Sequence, residues 1–146
     1  MNGVILDAGS FDQNDLITSS LEASLENWHW HRSTLPNQTM ARIADMNVIV
    51  TNKVAITASA LESASLQLIV IAATGTNNID LEAAQRKAIS VCNVRNYASP
   101  AVSQHVFSMM LALYTHLSDY ANAVREGRWH QSPVFCLLDY PINELA

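Results

Sequence analysis

Residues 3–94 alternate short apolar runs with helix-patterned segments, and few architectures accept that order. Val4–Ala8 is an apolar run suited to a central strand. Phe11–Leu25 carries Leu16, Ile17, Leu21 and Leu25 at helical spacing. Asn27–Arg32 alternates Trp28 and Trp30 with His29 and His31, the pattern of a strand with two different faces. Pro36–Ala44 has apolar spacing for a helix, with proline near its first turn. Val48–Val50 is a second buried strand, and Thr57–Ala64 a helix with Thr57 as its N-cap. Leu66–Ala73 is the strongest strand, because Leu68-Ile69-Val70-Ile71 is continuously apolar, as strands buried on both faces are. Asp80–Lys87 reads as a helix capped by Asn78, and Ile89–Val94 as a last short strand. Such alternation marks a parallel sheet covered by helices. With right-handed crossovers it predicts an α/β fold, a flavodoxin-like doubly wound parallel five-stranded sheet.

After residue 97 the pattern changes. Pro100–Val124 reads as one long helix, with Val102, Val106, Met109, Met110, Leu113 and Leu117 at helical spacings. Phe107 and Leu111 extend its apolar character nearly all the way round, so it is expected to be covered on most faces. Glu126-Gly127 places a glycine where a helix ends. Gly127–Ala146, with Pro133 and Pro141, lacks periodicity and reads as extended linker. The expected organisation is a binding domain over 1–97, a connector helix over 98–127 that doubles as a dimer surface, and a linker over 128–146.

Composition narrows the function classes. Charged residues are 14% of the chain, against about 25% in ordinary domains, so part of the surface is expected to be covered by a partner. A net charge of −5 and the lack of any Lys/Arg run argue against nucleic acid and anionic membrane. No apolar stretch reaches about 18 residues, and Met1–Asp7 has no basic signal-peptide start; a cytoplasmic location is the expectation. Cys92 and Cys136 are too few for a disulfide framework, and Cys92 reads as a small buried hydrophobe. His29 and His31 share a face, but no Cys or carboxylate pattern completes a zinc site, so no metal is expected. His116 and His130 carry no spacing signal.

The loop Ala73-Thr74-Gly75-Thr76 follows the strongest strand, where ligands usually bind in doubly wound sheets. Its small residues admit a ligand close to the backbone, and Gly75 could take positive φ, so that successive N–H groups converge on an anion. An ordinary tight turn is the alternative. Lys53 also follows a strand and could add positive charge beside an acid, or be a solvated loop lysine. A phosphoacceptor receiver, which shares the architecture, needs clustered acids after strand 1. Asp7 stands alone there, and the third strand ends in Thr51-Asn52-Lys53 rather than an aspartate.

The segment Ala72–Ala84, with Gly75 followed by Asn78-Ile79-Asp80-Leu81, resembles the loop and helix start of the D-isomer-specific 2-hydroxyacid dehydrogenase family. The likeness continues through Lys87–Asn93, Asn96–Ser99 and Val102-Ser103-Gln104-His105, and ends in Gly127-Arg128-Trp129 and Glu144-Leu145. It is nearest to the glycerate dehydrogenase (hydroxypyruvate reductase) and phosphoglycerate dehydrogenase-like branch. Gln104, Ser103 and Asn77 stand where many members carry Glu, Ala and Asp. The resemblance implies that backbone amides around Thr74 and Gly75 bind the carboxylate of a small 2-oxo or 2-hydroxy acid, and Ala73 and Lys53 stand beside them as candidate substrate-binding residues from their own positions after strands. It implies that Thr74 and Val102 approach NAD or NADP, that His105 packs or hydrogen-bonds between domains, and that Asn96–Ser99 is a hinge. The family's catalytic Arg, Glu and His and its Gly-x-Gly-x-x-Gly segment correspond to positions after Ala146. The chain is therefore expected to be a substrate-side portion, with no catalytic residue of its own and no tight cofactor binding. The alternative is an inactive remnant that only self-associates.

Overall fold

The structure, a computed structural model, describes residues 1–134. Chain contacts divide it into two compact units, Met1–Asn96 and a second from Tyr97 onward.

The first unit is built on five strands: β1 (Asn2–Ile5), β2 (Asn27–Trp30), β3 (Val48–Thr51), β4 (Leu68–Ile71) and β5 (Ser90–Asn93). All pairings are parallel, in the order β2-β1-β3-β4-β5. This is the doubly wound, flavodoxin-like order that the alternation predicted. Strand periodicity sorts the core onto two faces. Val4, Leu6, Ile49, Ile69 and Ile71 join one buried cluster with Ile43 of α2 (Pro36–Ile43), Leu61 of α3 (Ala58–Glu62) and Ala83 and Ala84 of α4 (Leu81–Arg86). Ile5 and Val50 point to the other face, where Ala8, Trp28 and Leu21 pack. Within β4, Ile69 and Ile71 are buried and Leu68 and Val70 only partly so, which corrects the expectation of burial on both faces.

Several local expectations change. Phe11–Leu25 is not one helix. Asp12 Oδ1 accepts the amides of Asn14 at 2.8 Å and Asp15 at 3.1 Å, an Asx turn that competes with helix, and only α1 (Ser19–Glu22) is helical. Thr57 caps α3, accepting Ala60 N at 3.4 Å. The cap of α4 is Asp80, which accepts Ala83 N at 2.9 Å; Asn78 instead donates to the Val54 carbonyl at 3.0 Å. Cys92 is exposed rather than buried, because β5 is an edge strand.

In the second unit the predicted long helix is two: α5 (Ser99–Tyr114) and α6 (Leu117–Arg125). The break falls at His116, whose φ is +50°. Thr115 N and Thr115 Oγ1 both donate to the Leu111 carbonyl, at 2.9 and 2.7 Å, closing the last turn. Apolar spacing runs straight across this break, so periodicity could not show it. Gly127 follows α6 with φ +72°, the left-handed residue that glycine favours after a helix. Residues Arg128–Gln131 then form α7, not extended linker. The remainder of that linker, with Cys136, Pro141 and Glu144-Leu145, lies outside the described residues.

Candidate functional site

The carboxyl ends of β1, β3 and β4 converge at one edge of the sheet, and that edge is cross-braced. Ala72 N donates to the Thr51 carbonyl at 2.8 Å, tying the loop after β4 to the end of β3. Further out, Ile56 and Ile79 form a parallel bridge between the two loops, with Ile56 N donating to Asn78 O at 2.8 Å and Asp80 N to Ile56 O at 3.0 Å. Lys53 and Ala73-Thr74-Gly75 therefore lie on neighbouring loops of one edge. Val102 is in the first turns of α5 in the second unit, with its side chain exposed.

The Ala73–Gly75 loop is held from its flank. Val94 N donates to the Ala73 carbonyl at 3.1 Å, and Asn93 Nδ2 to the Thr74 carbonyl at 2.7 Å. These bonds use carbonyls and leave donors free: among the described residues, the amides of Thr74 and Gly75 have no intramolecular acceptor. Gly75 does not adopt positive φ; among the described residues Gly127 is the only glycine that does. The left-handed nest expected at Gly75 is thus absent. What glycine contributes is openness, since a Cβ there would meet only Asn77 Oδ1, at 3.1 Å. Two exposed N–H groups on a braced loop can bind an anion by simple convergence.

On the other side of β3, Asp7 follows the end of β1. It is 5% exposed. Its carboxylate accepts from Thr51 Oγ1 at 2.8 Å, Asn52 N at 3.0 Å, Lys53 N at 2.7 Å and Ser10 Oγ at 3.2 Å. The sequence shows Asp7 only as a solitary acid. The signal that could have found it is strand order: β1 and β3 are neighbours, so a carboxylate ending β1 meets the loop that ends β3. Asn93 is missed for a similar reason, as its role depends on β5 pairing with β4.

Lys53 lines two clefts. One, of about 360 Å³, also involves Asp7, Ser10, Arg32 and Thr34. The other, of about 410 Å³, includes Thr34, Met40 and Thr57. Neither is lined by Ala73, Thr74 or Gly75, and Thr74 and Gly75 are exposed. With Asp7 saturated by donors, Arg32 and Lys53 make the first cleft a place for negative charge. The histidine pair sits elsewhere: His29 is exposed on edge strand β2, and His31 lies just beyond it. His31 is held below the ordinary histidine range by burial, then by Arg42 and His29. Among the described residues there is no group of three or more metal-ligating side chains, and no helix is long and apolar enough to cross a membrane.

Comparison with known proteins agrees with this architecture. The family described as D-isomer specific 2-hydroxyacid dehydrogenase, catalytic domain, matches residues 9–134. The glycerate dehydrogenase of Methylorubrum extorquens is 41% identical over 112 residues, which are 76% of this chain and 36% of that enzyme. The hydroxypyruvate reductase of Blautia hydrogenotrophica is 30% identical over 148 residues, covering 99% of this chain and 46% of that enzyme. The chain thus spans less than half the length of these relatives. Among solved structures, an acyclic imino acid reductase in complex with NADPH and D-Arg superposes with a TM-score of 0.74 at 16% identity, over 100% of this chain and 44% of that one.

Proposed function

Because the chain belongs to the D-isomer specific 2-hydroxyacid dehydrogenases, by their catalytic domain, we propose that its first unit binds the substrate acid for an NAD(P)-dependent oxidoreductase. The substrate in this reading is a small 2-oxo or 2-hydroxy acid of the hydroxypyruvate or glyoxylate kind, as the names of the relatives suggest. The observation that carries it is the pair of amides at Thr74 and Gly75 that have no acceptor among the described residues, on a braced loop that neighbours the loop carrying Lys53, whose ammonium has no ion partner among the described residues. The amides hold the carboxylate in the loop plane. Lys53 supplies a positive charge for the acid, and a charge-assisted hydrogen bond is stronger than a neutral one. Fixed donors of this kind orient the 2-carbon without reorganising when the acid arrives.

A nicotinamide cofactor would supply or accept hydride at that carbon. The residues present suit only its reactive end. In this reading Thr74 of the first unit offers a contact to that end, and Val102, on the connector of the domain reading 1–97, 98–127 and 128–146, is a separate candidate contact. The four glycines, at 3, 9, 75 and 127, are too scattered for a Gly-x-Gly-x-x-Gly pyrophosphate loop within these residues. In this reading the 146 residues bind acid, hold cofactor weakly and do not turn over by themselves; the setting is cytoplasmic.

Titration of the chain with glyoxylate, followed by amide shifts, is expected to move Thr74 and Gly75. Titration with NADH is expected to give a Kd weaker than about millimolar, and an assay of hydroxypyruvate reduction to show none. Micromolar NADH binding or measurable turnover would sink the division of labour. A second reading, self-association through residues 100–124, is favoured by one observation: Val106, Phe107, Met109, Met110, Leu111 and Leu113 of α5 are all exposed.

A further inference from the structure

A buried carboxylate must be hydrogen-bonded or paired with a cation. Among the described residues Asp7 has no ion pair, and its partners are two hydroxyls and two backbone amides. Three of those four donors belong to the tripeptide Thr51-Asn52-Lys53, and the shortest bond, 2.7 Å, comes from Lys53 N. Asn52 N also lies 3.3 Å from the second carboxylate oxygen. Thr51, fully buried, relays the restraint: its Oγ1 donates to Asp7 and accepts Val54 N at 3.2 Å. The backbone is therefore pinned at 52, 53 and 54, whereas the Lys53 side chain is exposed and has no ion partner among the described residues. A fixed root below a free charged head is the arrangement that pre-organises a binding group. Hydrogen bonds to a carboxylate are roughly twice as strong as neutral ones, so an uncharged side chain of the same shape would hold this loop less well.

We infer that Asp7 is a positioning residue for acid binding: its carboxylate fixes the root of Lys53, so that the ammonium is presented to the carboxylate of the 2-oxo or 2-hydroxy acid. This rests on the role given to Lys53 above. The probe is glyoxylate, a carboxylate with almost no side chain, titrated into the 146-residue chain and followed by amide shifts. The variants are Asp7→Asn, Lys53→Met and the two together. Asparagine keeps the shape, but one orientation of its amide leaves Lys53 N without an acceptor and the other leaves Asn52 N only the longer 3.3 Å contact. Each single substitution is expected to raise the Kd about threefold to tenfold, and the double variant no further than Lys53→Met. Multiplying effects, or an unchanged Kd in Asp7→Asn, overturn the inference. Should Asp7→Asn not fold, hydrogen exchange in the unaltered chain decides. Protection of the Lys53 amide about a hundredfold above those of Thr74 and Gly75 supports the inference, and equal exchange overturns it. A Kd unmoved by Lys53→Met while the loop amides still shift refutes the inference and leaves the acid-binding loop standing. Loop amides that stay silent at saturating glyoxylate refute both.

Discussion

Single residues in this protein are decided by close approach and by charge. Gly3 lies opposite Trp28 in the β1–β2 register, and a Cβ at Gly3 would fall 2.5 Å from Trp28 Cζ3 and 2.6 Å from Cε3. The indole is laid directly on the strand backbone. Gly3→Ala is expected to cost about 1–3 kcal/mol through displacement of that ring, read as a lower urea midpoint at unchanged slope. His31 carries a pH dependence. Its folded pKa lies below the ordinary 6.5, through burial first and then Arg42 and His29. The folded state therefore takes up a proton less readily than the unfolded chain, so this contribution is complete above the unfolded value and is lost as pH falls through the folded one. Stability is expected to fall as pH drops below the ordinary histidine value, and His31→Gln to flatten that fall; identical pH profiles would refute it. Gly3 and His31 are visible as letters, but their constraints come from the fold: the Trp28 ring over Gly3, and the burial of His31 with Arg42 beside it.

At the scale of elements, strands were far more legible than helix limits. β3 and β4 are compact apolar runs and β2 and β5 alternate, and each of the five strands overlaps a segment that the alternation marked, although β1 starts earlier, at Asn2, and β3 runs on to Thr51. Helices were blurred because side-chain and backbone competition ends them: the Asp12 turn before α1, and the Thr115 bond before α6. The end of α4 shows the same effect at a non-glycine residue. Ala88, exposed, follows the helix with φ +54°, a left-handed conformation that costs a side-chain-bearing residue about 1 kcal/mol. Ala88→Gly is expected to stabilise the first unit by about 0.5–1 kcal/mol, measured as a raised melting temperature; a loss of stability would show that the turn is not strained. Nothing in the letters Lys87-Ala88-Ile89 announces that conformation, since the sharp return from α4 to β5 imposes it.

For the whole molecule, the two units pose different problems. The first closes a core of its own, whereas α5 of the second has no buried residue. A helix that is apolar on nearly every side and exposed calls for cover. On the reading that a second copy supplies it, sedimentation equilibrium at tens of micromolar is expected to give a dimer, and Met109→Lys with Leu113→Lys to return it to monomer. A wild-type chain that stays monomeric there would refute self-association. The alternation of apolar runs and helical segments, by itself, determined a parallel helix-covered sheet, and with only five strand segments, too few for an eight-stranded barrel, the doubly wound arrangement. The small residues of Ala73–Gly75 likewise marked a candidate ligand loop. Only tertiary structure decided what surrounds that loop: the open amides without a left-handed glycine, the Asn93 brace, and the burial of Asp7 against Thr51-Asn52-Lys53. Those contacts join residues 19 to 46 positions apart, and no local pattern records them, since strand order alone brings their ends together.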